Sequence, residues 1–207
     1  MAGLREKQKA DREQRILKAA VTRFRADGYK SVRIEDLADM AEVSVGTVYN
    51  YYRNKGDILI ATVAMEVEEV LAAGKAIVAD PPRGVADALL SLIYCYYDHS
   101  LEYLSKEMWR TAMALAIETP QTPNGRRYND LDRRLAAQVV ELIATLQARG
   151  GIKPDLDPRA VGHLLFNNLN MMFIEFVKDD AMTLDALREA VAAQTVPLAG
   201  LMSKDTA

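Results

Sequence analysis

Cysteine, histidine and tryptophan are scarce in this chain of 207 residues, which has one Cys, two His and one Trp. A single cysteine, Cys95, excludes an internal disulfide. No Cys/His cluster has the spacing of metal ligands, so neither a metal nor a cofactor is expected. No run approaches 18 uninterrupted apolar residues, which leaves no candidate membrane span. The opening MAGLREKQKADREQR is polar and charged, without the apolar stretch of a signal segment. A reducing, cytoplasmic setting is the expectation. Strand-like alternation, internal repeats and low-complexity tracts are also missing.

What is present is core material and an uneven charge. Half of the residues are hydrophobic and 27% are charged, as in an ordinary globular protein. The net charge of −3 at first argues against a polyanionic partner. Its distribution argues otherwise. Residues 1–56 hold 12 Lys+Arg and 8 Asp+Glu, a net +4, and the remainder holds 14 and 21, a net −7. Such asymmetry suits a nucleic-acid-facing end and a differently employed remainder.

Apolar periodicity predicts helix almost throughout. From Glu13 to Arg25, the residues Ile16, Leu17, Ala20, Val21 and Phe24 recur in steps of three and four, and Gly28 ends that helix. A short second helix follows, with Ser31 as candidate cap and Ile34, Leu37, Ala38 and Met40 turned inward. After a break at 41–43, Ser44 can cap a third helix through Tyr52. Asn54 is placed to cap a long fourth helix whose apolar side is Ile58, Leu59, Val63, Val67, Val70 and Leu71. Asp80-Pro81-Pro82 stops it. Further helices are expected to about Leu104, from Ser105 to Glu118, from Arg126 to Arg149, from Pro158 to Lys178 with Asp157 as cap, and from Thr183 to about Leu201. Thr119–Gly125 reads as a loop and the last five residues, SKDTA, as a disordered tail. The sum is an all-α protein of about nine helices.

Two short helices joined by a tight turn and preceded by a supporting helix form a helix-turn-helix, here 33–52. Its second helix must be apolar on one side and small or polar on the other. Val48 and Tyr52 supply the inner side. Val45, Gly46, Thr47, Asn50 and Tyr51 are left outside, and Gly46 permits close approach of the backbone to DNA. Ser44, Thr47 and Tyr49 offer hydroxyls to phosphate. Lys55 sits where the next helix begins, so its charge and the free N–H groups there can meet a phosphate.

The run RILKAAVTRFRADGYKSVRIEDLADMAEVSVGTVYNYYRNKGDIL resembles the DNA-binding domain of TetR-family regulators. The resemblance rests on Ile16-Leu17, Ala19-Ala20, Phe24, Gly28-Tyr29, Ile34, Leu37-Ala38, Val43-Ser44, Gly46-Thr47, Tyr49, Tyr52, Lys55 and Leu59. It implies a three-helix DNA-binding domain over 10–70 and a larger helical effector-binding and dimerisation domain over 75–203. It further implies a homodimer on a palindromic double-stranded DNA operator, repressing until a small effector binds. By position, Thr47, Tyr49 and Lys55 would contact phosphate. Val45, Gly46, Asn50 and Tyr51 would neighbour base edges, and Arg33 would contact backbone or base. Two positions depart from the family pattern. Glu42 stands where a turn glycine is common, at a cost of roughly 1–2 kcal/mol if the turn is left-handed. Tyr52 replaces a common Phe.

For the effector, the aromatics, methionine and amides Tyr94, Tyr97, Trp109, Met113, Phe166, Asn167, Asn170 and Phe173 are candidate pocket residues, since such side chains suit a deformable apolar site. Asn167, Asn168 and Asn170 cannot all be buried unpaired. The helices over about 158–178 and 183–201, apolar around much of their circumference, are the expected dimer seam. Activation of transcription, or regulation without a ligand, are the alternatives to repression. An enzyme is not expected, because the one superficial nucleophile set, Cys95, His99 and Glu102, lacks an activated thiol. A helical interaction module would have no need of the basic end.

Overall fold

The computed structural model describes residues 2–204. Among these, nine helices and no strand are formed: α1 (Ala2–Asp27), α2 (Ile34–Met40), α3 (Val45–Tyr51), α4 (Lys55–Ala79), α5 (Val85–His99), α6 (Lys106–Glu118), α7 (Pro123–Ala148), α8 (Pro158–Lys178) and α9 (Leu184–Met202). The chain divides into two compact units. One comprises Met1–Met65 and Tyr103–Asn129, the other Glu66–Glu102 and Asp130–Ala207. Both units are therefore discontinuous in sequence, and α4 and α7 each contribute to both.

The first unit is built on the stripe Ile16, Ala20 and Phe24 of α1, closed by Leu37 and Ala38 of α2, Val48 of α3 and Ile58 and Leu59 of α4, all buried. Gly28, at φ 81°, ends α1, and its N–H donates to Phe24 O at 3.1 Å. The expected cap of α2 is corrected. Arg33, not Ser31, is the N-cap residue, and its N–H donates to the Asp36 carboxylate at 2.8 Å. Met40 is 46% exposed instead of inward. In a helix of seven residues the inner stripe runs through 34, 37, 38 and 41, and Met40 falls off it.

The ends of three later elements also differ from the expected limits. α5 stops at His99 because the Ser100 N–H and hydroxyl both donate to Tyr97 O, at 3.1 and 2.7 Å. α5 thus ends five residues short of the expected Leu104. α7 starts at Pro123, inside the expected loop, with proline in its first turn and the Thr122 hydroxyl accepting the Gly125 N–H at 3.1 Å. The expected tail is partly anchored: Lys204 N–H donates to Gly151 O at 3.0 Å, and Ile152 pairs with Ser203 in an isolated antiparallel bridge. Asp205–Ala207 lie outside the described residues.

In the second unit, α9 packs on α5 and α8 through Leu187, Val191 and Ala199. α7 and α8 cross closely at Gly162, where a Cβ would meet Val140 Cγ2 at 2.6 Å. The caps expected for α8 and α9 form: Asp157 accepts the Arg159 N–H at 3.0 Å and Thr183 the Ala186 N–H at 3.1 Å.

Candidate nucleic-acid interface

α2 ends and α3 begins through a turn that needs a left-handed residue. Val43 N–H donates to Ala38 O at 3.0 Å and Glu42 N–H to Asp39 O at 3.1 Å. This paired closure of a helix end places its middle residue in the left-handed region, where glycine is favoured. Glu42 occupies that place at φ 53°. The turn is thus not redrawn to suit glutamate; glutamate is strained to suit the turn. Arg15 helps to hold it, its Nη1 donating to Ala41 O at 3.0 Å.

Ser44 then caps α3, its Oγ accepting the Thr47 N–H at 3.1 Å and lying 2.8 Å from Thr47 Oγ1. Val48 is fully buried and Tyr52 nearly so. That orientation leaves Gly46, Tyr49 and Asn50 exposed and Val45, Thr47 and Tyr51 half-buried. A Cβ on Gly46 would meet only Ser44 Oγ, at 3.9 Å, so nothing within the protein requires glycine there. Arg33 is exposed beside α2, with Nε 3.3 Å from Glu35.

Three side chains do work that the sequence did not announce. The Tyr51 hydroxyl donates to Lys9 O at 3.0 Å, tying α3 to an N-terminal extension of α1 that begins at Ala2, eleven residues before the expected Glu13. The Tyr52 hydroxyl donates to Glu13 Oε1 at 3.4 Å, which accounts for a hydroxyl at the edge of the small core; burial, then Glu13, push its pKa up. Lys55 Nζ donates to Tyr29 O, Lys30 O and Val32 O at 2.7, 3.1 and 2.9 Å and lies 4.5 Å from the Tyr29 ring centroid. An ammonium has three protons, so in this arrangement none is left for phosphate. The side chain clamps the 29–32 loop, and burial lowers its pKa.

The candidate effector residues fall in both compact units. Tyr97 stacks on Phe173 with centroids 6.0 Å apart and donates its hydroxyl to Leu169 O at 2.7 Å. Both rings and Phe166 are buried. Tyr94 is half-buried, its hydroxyl donating to Arg188 O at 3.4 Å. Trp109 and Met113 belong to the other compact unit, with α6. The asparagines escape the buried-amide problem: Asn167 is exposed, and Asn168 and Asn170 are half-buried. Cys95 has its thiol pKa raised by burial and by Asp98, the opposite of an activated nucleophile. His99 is engaged by Glu66, Nδ1 to Oε1 at 2.8 Å. That pair was not read from the sequence, although a carboxylate amid ILIATVAMEVEEVL, four residues before Val70, was its visible signal. No helix of the described residues is long and apolar enough to cross a membrane.

A capped short helix presenting Gly46, Tyr49 and Asn50 over a buried Val48 defines a helix-turn-helix protein. Residues 16–62 match the family model for bacterial regulatory proteins of the tetR family. It is 35% identical over 65 residues to the HTH-type transcriptional repressor KstR of Rhodococcus jostii (strain RHA1), covering 31% of each chain. The match thus spans about a third of that curated relative. The fold is shared along nearly the whole length. A TetR-family transcriptional regulator from Mesorhizobium loti MAFF303099 superposes with a TM-score of 0.74 at 19% identity, over 95% of this chain and 98% of that one. The regulator FadR from Bacillus subtilis, solved in complex with stearoyl-CoA, gives 0.65 at 21% identity, over 88% and 97%.

Proposed function

We propose that this protein is a homodimeric transcriptional repressor that binds a palindromic operator and leaves it when a small effector occupies the second unit. The observation carrying this reading is the outward face of α3, where small and polar residues surround a glycine that the protein's own packing does not need. Thr47, Tyr49, Ser44 and Arg33 are assigned to phosphates, and Val45, Gly46 and Asn50 to the groove, while the Tyr51 hydroxyl is held by Lys9 O. Lys55 reaches a phosphate only by releasing one of its carbonyls, and otherwise positions the loop before α2. Dimerisation is assigned to α8 and α9. Leu164 and Met171 lie seven residues apart on one face of α8, two helical turns, and are 58% and 54% exposed; Val196 and Leu201 of α9 are 48% and 71% exposed. A C2 pair through these helices can set two reading helices about one DNA turn, ~34–36 Å, apart. Ligand control is supported by the stearoyl-CoA complex of a protein with the same fold.

The test is a gel shift on DNA upstream of the protein's own gene across a salt series. A sequence-dependent complex that weakens steeply with salt is expected, because phosphate contacts release counterions. A complex indifferent to sequence, or none at all, refutes the reading.

A further inference from the structure

Glu66 is a carboxylate in the wrong place for an idle residue. It is 1% exposed, on a helix otherwise buried along that side by Val63, Val67 and Val70. Its Oε1 lies 2.8 Å from His99 Nδ1. Its Oε2 is buried and has no hydrogen-bond partner. A buried polar atom without a partner is costly, and more so when charged, so such an atom points to a group that pairs with it in another state of the protein. The surroundings narrow the chemistry of that group. His99 Nε2 is 3.5 Å from Glu69 Oε2, and the charges of Glu69 and Glu102 act on both Glu66 and His99. Two carboxylates therefore lie against one imidazole, and the charge of a third reaches it. A donor that also carries positive charge relieves both the orphan oxygen and the excess negative charge, whereas a water relieves only the first, and an anion worsens the second.

The neighbouring register is apolar. Val70 lies one turn beyond Glu66 on α4. Tyr96 lies one turn and Leu92 two turns before His99 on α5, and all three are buried. Glu66 is also the first residue of the second unit on α4, the helix whose earlier part belongs to the DNA-binding unit.

We propose that Glu66, positioned by His99, is the polar anchor of the effector site and that the effector is a protonated amine with an apolar body. The ammonium donates to Glu66 Oε2, and the alkyl portion lies against the apolar side. This rests on the ligand-controlled reading above and specifies its ligand.

The experiment uses full-length protein and alkylammonium chlorides from butyl to octyl, each matched with the n-alcohol and the n-carboxylate of the same length, read by isothermal titration and by release of the bound operator. The ammonium is expected to bind at least about tenfold more tightly than its alcohol, a difference of ~1.4 kcal/mol, and the carboxylate more weakly still. Glu66→Gln keeps the shape and a hydrogen bond to His99, and circular dichroism checks its fold. In that variant the preference for ammonium over alcohol is expected to vanish. The proposal is overturned if no ammonium binds, if alcohol or carboxylate binds as well as ammonium, or if the preference survives in Glu66→Gln. A carboxylate that frees the operator regardless of residue 66 overturns the amine and leaves the regulator reading standing. An ammonium that binds through Glu66 without freeing DNA supports the site and refutes ligand-controlled release.

Discussion

Replacing Glu42 by glycine should stabilise the protein, although it deletes a side chain and an ion-pair partner. Glu42 holds φ 53°, a left-handed conformation that costs a residue with a Cβ roughly 1–2 kcal/mol. Glycine removes that strain but adds unfolded-state entropy, which opposes folding by roughly 0.5–1 kcal/mol. The lost pairing with Arg15, at 4.0 Å and with the Glu42 side chain 88% exposed, is screened by water and contributes little. The balance is a gain of about 0.5–1 kcal/mol, or roughly 1–4 °C in Tm for a chain of this size. Glu42→Ala keeps the Cβ and deletes only the carboxylate, so it should be close to neutral. Glu42→Val adds β-branching to the strained backbone and should destabilise. Urea denaturation of the three variants at one pH gives the order directly. If glycine and alanine fall together, backbone strain at position 42 is not what distinguishes them and the reasoning fails.

Gly46→Ala should raise stability by about 0.5–1 kcal/mol, as glycine-to-alanine does within helices, since the new methyl meets only Ser44 Oγ at 3.9 Å. Operator affinity should nevertheless drop, and unchanged affinity in a gel shift would remove Gly46 from the DNA face. Glu66, pushed up from 4.5 to about 7 chiefly by burial, keeps its proton in the folded state where the unfolded chain has lost it. Stability should therefore be greatest below pH ~4.5 on this account and fall by up to about 3 kcal/mol through pH 7. The raised pKa of His99 acts in the same direction, and Glu66→Gln should flatten the slope seen in urea denaturation between pH 5 and 8. Leu164→Glu with Met171→Glu should leave a folded monomer by light scattering, because each apolar side chain removed from a seam withdraws about 1.5–3 kcal/mol; a persisting dimer would move the interface elsewhere.

The fold was legible where local rules act alone. Ser44, Asp157 and Thr183 are caps whose partners lie two or three residues away, and Ile16, Ala20 and Phe24 reveal their face by spacing. Errors arose where a local rule had two solutions. Ser31 and Asp36 could each satisfy the start of α2, and the carboxylate prevailed. The helix expected to reach Leu104 ends at His99, because the Ser100 hydroxyl turns the chain first.

The side chains expected to face DNA are a harder case, because composition fixes what a residue can donate but not where the donation goes. Tyr51 and Lys55 were read as ligands of DNA from charge and position. Both spend their protons on backbone carbonyls that lie 42 and at least 23 residues away in sequence, and no local pattern announces such a partner. The same reasoning works in reverse for Glu66. A carboxylate inside an apolar helical face is visible in the sequence, and its partner His99, 33 residues on, is visible only in space. Residues whose pairing is distant are therefore where substitution is most informative. Tyr51→Phe deletes one hydroxyl and leaves the reading face of α3 intact. If Tyr51 positions the extension of α1, the variant should show faster amide exchange over residues 2–11 and unchanged base preference. An altered base preference with unchanged exchange would return Tyr51 to the groove.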